Sequence, residues 1–280
     1  MPITALNILT QEEGKEYLKK VTYGTISGVS KALASAGMKN VELSGDPTAG
    51  SVEAKRFVNA VSNEYGTARK AGAGKAVKAK PVVVRVNKDR EIVEEIEDKD
   101  TRLYGVEGLI DRRAANHVIR MASELDSEFF SVAHKNAVEI ELADDLAIED
   151  ELETIIQECE NTKNDFVDGV PRAMMRMVCS TEYYGKIRNS LDKCTRTNVD
   201  TSTEEFYTWH GVETKSSVHL PTGCRYILMV QGAVAQPIHA DQYVAEKIPL
   251  SNAYGVSLFY YYGTEAIMPD LIFTNATDAA

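Results

Sequence analysis

The chain has 280 residues, of which 44% are hydrophobic and 26% charged, and its formal net charge is −11. That balance can fill one large core or two joined ones, but a net negative surface disfavours coating nucleic acid, which takes a surplus of Lys and Arg. The four cysteines (Cys159, Cys179, Cys194, Cys224) form no C-x-x-C pair, and no apolar run approaches the ~20 residues of a membrane span, so zinc knuckles, dithiol chemistry and membrane insertion are not expected.

Met1–Thr10 lacks both the basic region and the apolar run of a secretion signal, so reduced, buried thiols are expected. Leu18, Val21, Ile26, Val29 and Leu33 recur at helical spacing and predict a helix within Thr10–Ala36, weakened by Gly24 and Gly28. Gly37–Ser51 has loop composition, and a short amphipathic piece at Val52–Val61 presents Phe57, Val58 and Val61 as its apolar face.

Tyr65–Lys88 carries seven basic residues (Arg69, Lys70, Lys75, Lys78, Lys80, Arg85, Lys88) and no acidic one, with glycines and alanines loosening its first half. The sign then reverses at Glu91, Glu94, Glu95, Glu97, Asp98 and Asp100. Two readings stand: a pair of solvated strands, or a charged arm that docks on an oppositely charged neighbour. Arg69, Lys70, Lys75, Lys78, Lys80, Glu94, Glu95 and Glu97 are the candidate inter-subunit contacts. Within the region, Pro81–Val86 and Glu91–Ile96 read as strands of a hairpin closed by Asn87–Arg90.

A long helix is expected from about Tyr104 to Ala133, with Val106, Ile110, Ala114, Val118, Met121, Leu125, Phe129 and Val132 as its apolar stripe. At that length, ~40 Å, it would run like a strut through a whole domain. A strand follows at Ala137–Leu142, then a helix at Ile148–Asn161, a strand at Ala173–Cys179 and a helix at Thr181–Leu191. Further strands are expected at Phe206–Val212, Tyr226–Val230, Val256–Tyr262 and Ala266–Phe273, with Tyr261 buried and its two tyrosine neighbours exposed. Helices and strands mix without a regular βαβ beat, so the class is α+β.

No catalytic signature rises above background. Ala71–Lys75 mimics a phosphate loop, but Arg69 and Ala76 stand where Gly and Ser or Thr are needed. His117, His134, His210, His219 and His239 include no i, i+4 pair, and no G-x-S-x-G elbow is present. The acids Asp144, Asp145, Asp150 and Glu151 suit the start of a helix better than a catalytic pair. No cofactor, metal or catalytic residue is therefore expected.

Several local sequences, taken in order, resemble tailed-bacteriophage major capsid proteins of the Hong Kong 97 type. They are Asp100–Val106, Arg112–His117 and Glu124–Phe130 in the long helix; Gly169–Arg172 running on to Tyr184; Trp209–Ser217; and Gly255–Gly263 through Pro269. The likeness spans about Glu42 to Phe273. It implies an N-terminal arm at 1–44, an extended loop region at 45–99, a peripheral domain with a long spine helix at 100–146 and 231–280, and an axial domain at 147–230. It further implies self-assembly into hexamers and pentamers of an icosahedral shell enclosing double-stranded DNA in the virion, after assembly in the bacterial host cytoplasm. The start of the chain leaves no long charged helix for a fused scaffold, so a separate scaffolding protein and a portal are the expected partners. No Lys–Asn–Glu triad is legible, and covalent crosslinking is not carried over. Two alternatives stand beside this: an encapsulin-like nanocompartment shell, and a cytosolic α+β enzyme whose pocket gathers His210, His219 and Cys224.

Overall fold

In a computed structural model, residues 5–43, 50–60, 62, 77–143, 146–193 and 206–275 are described. The chain is a mixture of helix and sheet organised along one helix. A 3-10 turn, Leu6–Thr10, leads into α1, Glu12–Ala32. Its buried face (Leu18, Val21, Val29) packs on the long helix, and Gly28 is there for closeness: a Cβ at that position would lie 3.0 Å from Val118. The glycine that weakens the helix prediction is thus a contact between helices.

After the extended strands β1 (Ser51–Phe57), β2 (Ala79–Arg85) and β3 (Lys88–Glu97), and a single helical turn α2 (Asp98–Thr101), comes α3, Gly105–Lys135. Its 31 residues span about 46 Å. It serves two cores. Val106, Ile110, Met121 and Leu125 meet α1 and the inner face of one sheet, while Phe129, Phe130 and Ala133 meet another.

The second sheet has six strands. β4 (Val138–Ile140) pairs in parallel with β14 (Ile272–Asn275), followed in order by β8 (Tyr226–Val230), β5 (Met175–Cys179), β7 (Val212–Ser216) and β6 (Thr208–Trp209). Helices α4 (Ile148–Glu160) and α5 (Thr181–Leu191) cover one face through Leu152, Ile155 and Ile187, against Met175, Met177 and Leu228. The end of α3 covers the other through Phe129 and Phe130, against Val178, Ile227 and Met229. With both faces covered, β8 is buried at every residue, which explains a continuous apolar run where alternation would mark a one-sided strand. Ser180 starts α5 by accepting the Tyr183 N–H on its hydroxyl. Strands β4 and β14 come from the segments 100–146 and 231–280, so this sheet is built from three parts of the chain.

The first sheet sets β12 (Ala253–Tyr262) between β3 on one side and the short β10 (Ile238–Ala240) and β11 (Val244–Lys247) on the other. A two-strand ladder of β9 (Val234–Ala235) and β13 (Glu265–Ala266) completes the fold.

Three expectations are corrected. The hairpin of 81–86 with 91–96 does not form: β2 pairs with β1, and β3 pairs along its whole length with β12. Lys88, Asp89 and Arg90, expected in the turn, are ladder residues opposite Tyr262, Tyr261 and Tyr260. The apolar face expected at Phe57 and Val58 is not buried; the described start of Val52–Val61 is β1, where Val52 and Arg56 turn partly inward and Phe57 outward. Val61 lies outside the described residues. Tyr260 and Tyr262 are buried and Tyr261 only half-buried, the reverse of the expected parity. The reason is Glu124 on α3, which accepts the hydroxyls of Tyr260 at 2.8 Å and Tyr262 at 3.1 Å and so draws the even face inward.

Where α1 ends, a polar network is sealed in the core. Asp126 of α3 accepts the Ala34 N–H at 2.8 Å, the Ser35 N–H at 3.1 Å and the Ser35 hydroxyl at 2.5 Å. Nearby, the Lys39 ammonium donates to Gln236 Oε1 at 2.5 Å, and Gln236 Nε2 donates to Leu125 O and Thr264 Oγ1, each at 2.9 Å.

Candidate assembly surface

The β1–β2 ribbon lies along the body of the subunit and is pinned at both ends. Period two aims Val82 and Val84 at Ala235 and Ile267, and Val84 is fully buried. At one end, Val86 N–H donates to Gly50 O at 3.0 Å, and Asn87 N–H to Tyr262 O at 3.2 Å. Gly263 permits this crossing, since a Cβ there would sit 1.8 Å from Arg85 O. At the other end, Arg56 grips Asp270 with both guanidinium arms, Nη2 to Oδ2 at 2.8 Å, and lies 4.3 Å from the centre of the Phe166 ring. Asn164 Nδ2 donates to the same carboxylate at 2.5 Å, and Asn59 N–H to Asp165 O at 2.9 Å.

This clamp holds the Arg56 end of the ribbon to the body. Arg56→Ala is expected to destabilise the subunit by about 1–3 kcal/mol, the usual worth of hydrogen bonds to a charged group. It should also speed amide exchange at Asn59. Unchanged protection at Asn59 would show that the clamp does not hold the ribbon.

Of the candidate contact residues, Arg69, Lys70 and Lys75 lie outside the described residues. Lys78 and Lys80 are exposed on and just before β2, beside the exposed Val77 and Val83. The acids of β3 divide by parity. Even positions face α3: Lys88 meets Glu128 at 3.5 Å, Arg90 meets Glu124 at 2.5 Å, and Glu94 accepts from Arg113 Nε at 2.8 Å and stands 3.3 Å from His117 Nε2. The spacings agree: Lys88 to Glu94 along a strand is about 20 Å, and Arg113 to Glu128 along a helix about 22 Å. Hydrogen bonding from Arg113 is the main influence holding the Glu94 carboxyl below its usual range. Glu94 is therefore engaged within the subunit. Glu97 pairs with Lys99 at 2.6 Å and caps α2, whereas Glu95 is exposed on the outer face.

One further charged cluster gathers α4, Arg172 and His210. Arg172 bridges Glu153 at 2.5 Å and Glu160 at 2.8 Å, and His210 Nδ1 is 2.9 Å from Glu153. Hydrogen bonds from Arg172 and then His210 hold the Glu153 carboxyl down at about 2. The structure gives the three residues of the enzyme alternative different surroundings: Cys224 is buried against Thr274 and Tyr226 O, His210 is on Glu153, and the His219 N–H meets the Ser217 hydroxyl. Among the described residues no group of three His, Cys, Asp or Glu could hold a metal, and no helix is long and apolar enough to cross a membrane.

No family model matches the sequence, and no curated protein matches it. Solved structures do. A chain of Mycobacterium phage Che8 superposes with a TM-score of 0.61 at 14% identity, over 83% of this chain and 86% of that one. The mature capsid of bacteriophage PhiM1 gives 0.59 at 12%, over 87% and 86%. A virus-like particle from Pyrococcus furiosus gives 0.54 at 12%, over 93% and 98%. The chain has the Hong Kong 97-type capsid fold, in its α+β form, as the local resemblances imply.

Proposed function

We propose that this chain is the major shell subunit of a tailed-bacteriophage head, assembling as hexamers and pentamers around double-stranded DNA in the host cytoplasm. The observation that carries the reading is the extent of the fold likeness, 87% of this chain against 86% of the PhiM1 mature-capsid chain. On this reading the sheet of β5, β7 and β8 faces the capsomer centre, α3 is the strut of the periphery, and the ribbon with the basic residues beyond it reaches a neighbour. A separate scaffold and a portal complete the assembly. The subunit acts as a building block, not an enzyme, and its net charge of −11 suits a container whose genome enters and leaves without sticking.

Assembly then proceeds by mass action over several modest contacts, which closed symmetry multiplies into a stable shell. Exposed ion pairs contribute only about 0–1 kcal/mol each. Apolar residues must therefore supply much of the affinity; of the expected Val77, Val82 and Val84, the last two pack inside the subunit, which leaves the exposed Val77 with Val83. Deleting residues 68–79 is expected to leave a folded subunit that forms no shells, read by circular dichroism and negative-stain microscopy with and without scaffold. Shells at normal yield from that variant would remove the basic segment from the mechanism.

A second reading, an encapsulin-like compartment, draws support from the match over 98% of the Pyrococcus furiosus virus-like-particle chain. The contents of purified particles decide between them: DNA for the head, a packaged enzyme for the compartment.

A further inference from the structure

The turn between β11 and β12 presents Leu250 in a way that nothing inside the subunit accounts for. Leu250 is wholly exposed, at 109%, and its φ is +60°. That left-handed conformation suits Gly or Asn, and a leucine adopts it at an energetic disadvantage. The turn is nonetheless well fixed. Ile248 N–H donates to Ala253 O at 3.0 Å, Ser251 N–H to Ile248 O at 3.2 Å, and Ala253 N–H to Ser251 Oγ at 3.1 Å. An apolar side chain is thus held out in water by an ordered, disfavoured backbone. Seating the side chain in an apolar groove of another molecule would offset its exposure.

The same corner carries a groove. Ala253 is paired with Glu97 and Tyr254 with Ile96, so the turn stands at the end of β3. Next to it is an open groove of about 570 Å³, lined by Glu95, Ile96, Asp100, Leu103, Tyr104 and Leu109 together with Glu94 and Arg113, which pair with each other. Leu103 is 76% exposed and Tyr104 47%. The groove has an apolar floor and an acidic rim at Glu95 and Asp100. The Leu250 turn is an apolar tip with the exposed Lys247 three residues before it and the exposed Glu246 one residue further back.

We propose that Leu250 of one copy seats in this groove of a neighbouring copy, with Lys247 facing the acids of the rim. A second copy is the occupant because tip and groove complement each other in both apolarity and charge and belong to one chain. Two different patches meeting is a heterologous contact, which closes into a ring where the rotation between copies allows it. The inference deepens the shell reading and rests on it for the reason copies stand side by side: it names the corner at which they meet.

The test pairs a loss with a crosslink. Leu250→Gly relieves the backbone and removes the tip, and Leu250→Asp makes the tip charged. Both should give folded subunits, Leu250→Gly with an unchanged or higher Tm. Particle yield should fall about tenfold or more, the scale set by burial of one leucine per contact. Wild-type yield from both variants overturns the proposal. In the double variant Leu250→Cys, Leu103→Cys, mild oxidation of particles should give a ladder of linked subunits on a non-reducing gel. Particles without a ladder overturn it, as does a linked dimer from Leu250→Cys alone, which would place tip against tip. If the wild-type chain makes no particles either alone or with its scaffold, the shell reading fails by itself. The double variant is then oxidised as concentrated soluble protein, where a ladder upholds the contact and none overturns it.

Discussion

Asp126→Ala is expected to cost the subunit about 3–5 kcal/mol, the range for removing one side of a buried ionic network. The carboxylate is 2% exposed and accepts from two backbone N–H groups and one hydroxyl, all in the stretch after α1. Alanine leaves those donors buried without an acceptor and takes away the charge that favours the ammonium of Lys39. Because the three donors lie on Ala34 and Ser35 and the acceptor on α3, the loss should first loosen α1 from the long helix. Urea denaturation gives the free energy, and amide exchange along α1 shows where it is lost. Asp126→Asn, which keeps one oxygen acceptor, should fall between wild type and alanine. A change below about 1 kcal/mol for Asp126→Ala would mean that other contacts hold α1 in place.

Lys39 should impose an unusual pH dependence. It is 7% exposed, hydrogen-bonded to Gln236, with its ammonium 5.8 Å from the centre of the Phe129 ring. Burial pushes its pKa down from 10.5 to about 8, against the opposing pull of Asp126. Below pH 8 the residue is charged in both states, and the cost of burying that charge is present in full. Between pH 8 and 10.5 the unfolded chain binds more protons than the folded one, so stability rises with pH. The whole window is worth about 3 kcal/mol. Buried groups with raised pKa values act in the opposite sense from about pH 9 upward, within the same window. Tyr243 and Cys159 are both pushed up by burial to about 12, so the unfolded chain deprotonates them first and stability falls. The contribution of Lys39 is therefore read as the difference between wild type and Lys39→Met from pH 7 to 9.5, with denaturation midpoints as the observable. Parallel profiles would show that Lys39 is not buried as a cation.

Elements with a local signature were legible in the sequence. The strut expected at 104–133 runs from Gly105 to Lys135, and Thr181–Leu191 and Tyr226–Val230 form as expected. Each is decided by the spacing of apolar residues within one segment. Strand partners were not legible: Val82 and Val84 in β2 look no different in sequence from Ile92 and Ile96 in β3, yet they face different cores. The acids of 91–97 looked like one outward-facing group, and only the long-range position of Arg113 turns Glu94 inward. β10 and β11 went unread because each is too short for a pattern. Asp126 and Lys39 had no signal at all, since a single charge carries no period. The φ of Leu250 is likewise set by the turn around it, and its meaning emerged only with its exposure.

The place of β14 between β8 and β4 has a consequence for the order in which the molecule can be made. During synthesis β8 emerges well before its neighbour. The stretch from Val230 to Ile272 takes about 2–8 s at ordinary elongation rates of about 5–20 residues per second. Throughout that interval one edge of β8, an apolar strand, waits unpaired, and such an edge invites pairing with other nascent chains. The ribosome thus sets a period during which crowded polysomes are hazardous to this subunit, and the arrival of Ile272–Asn275 ends it.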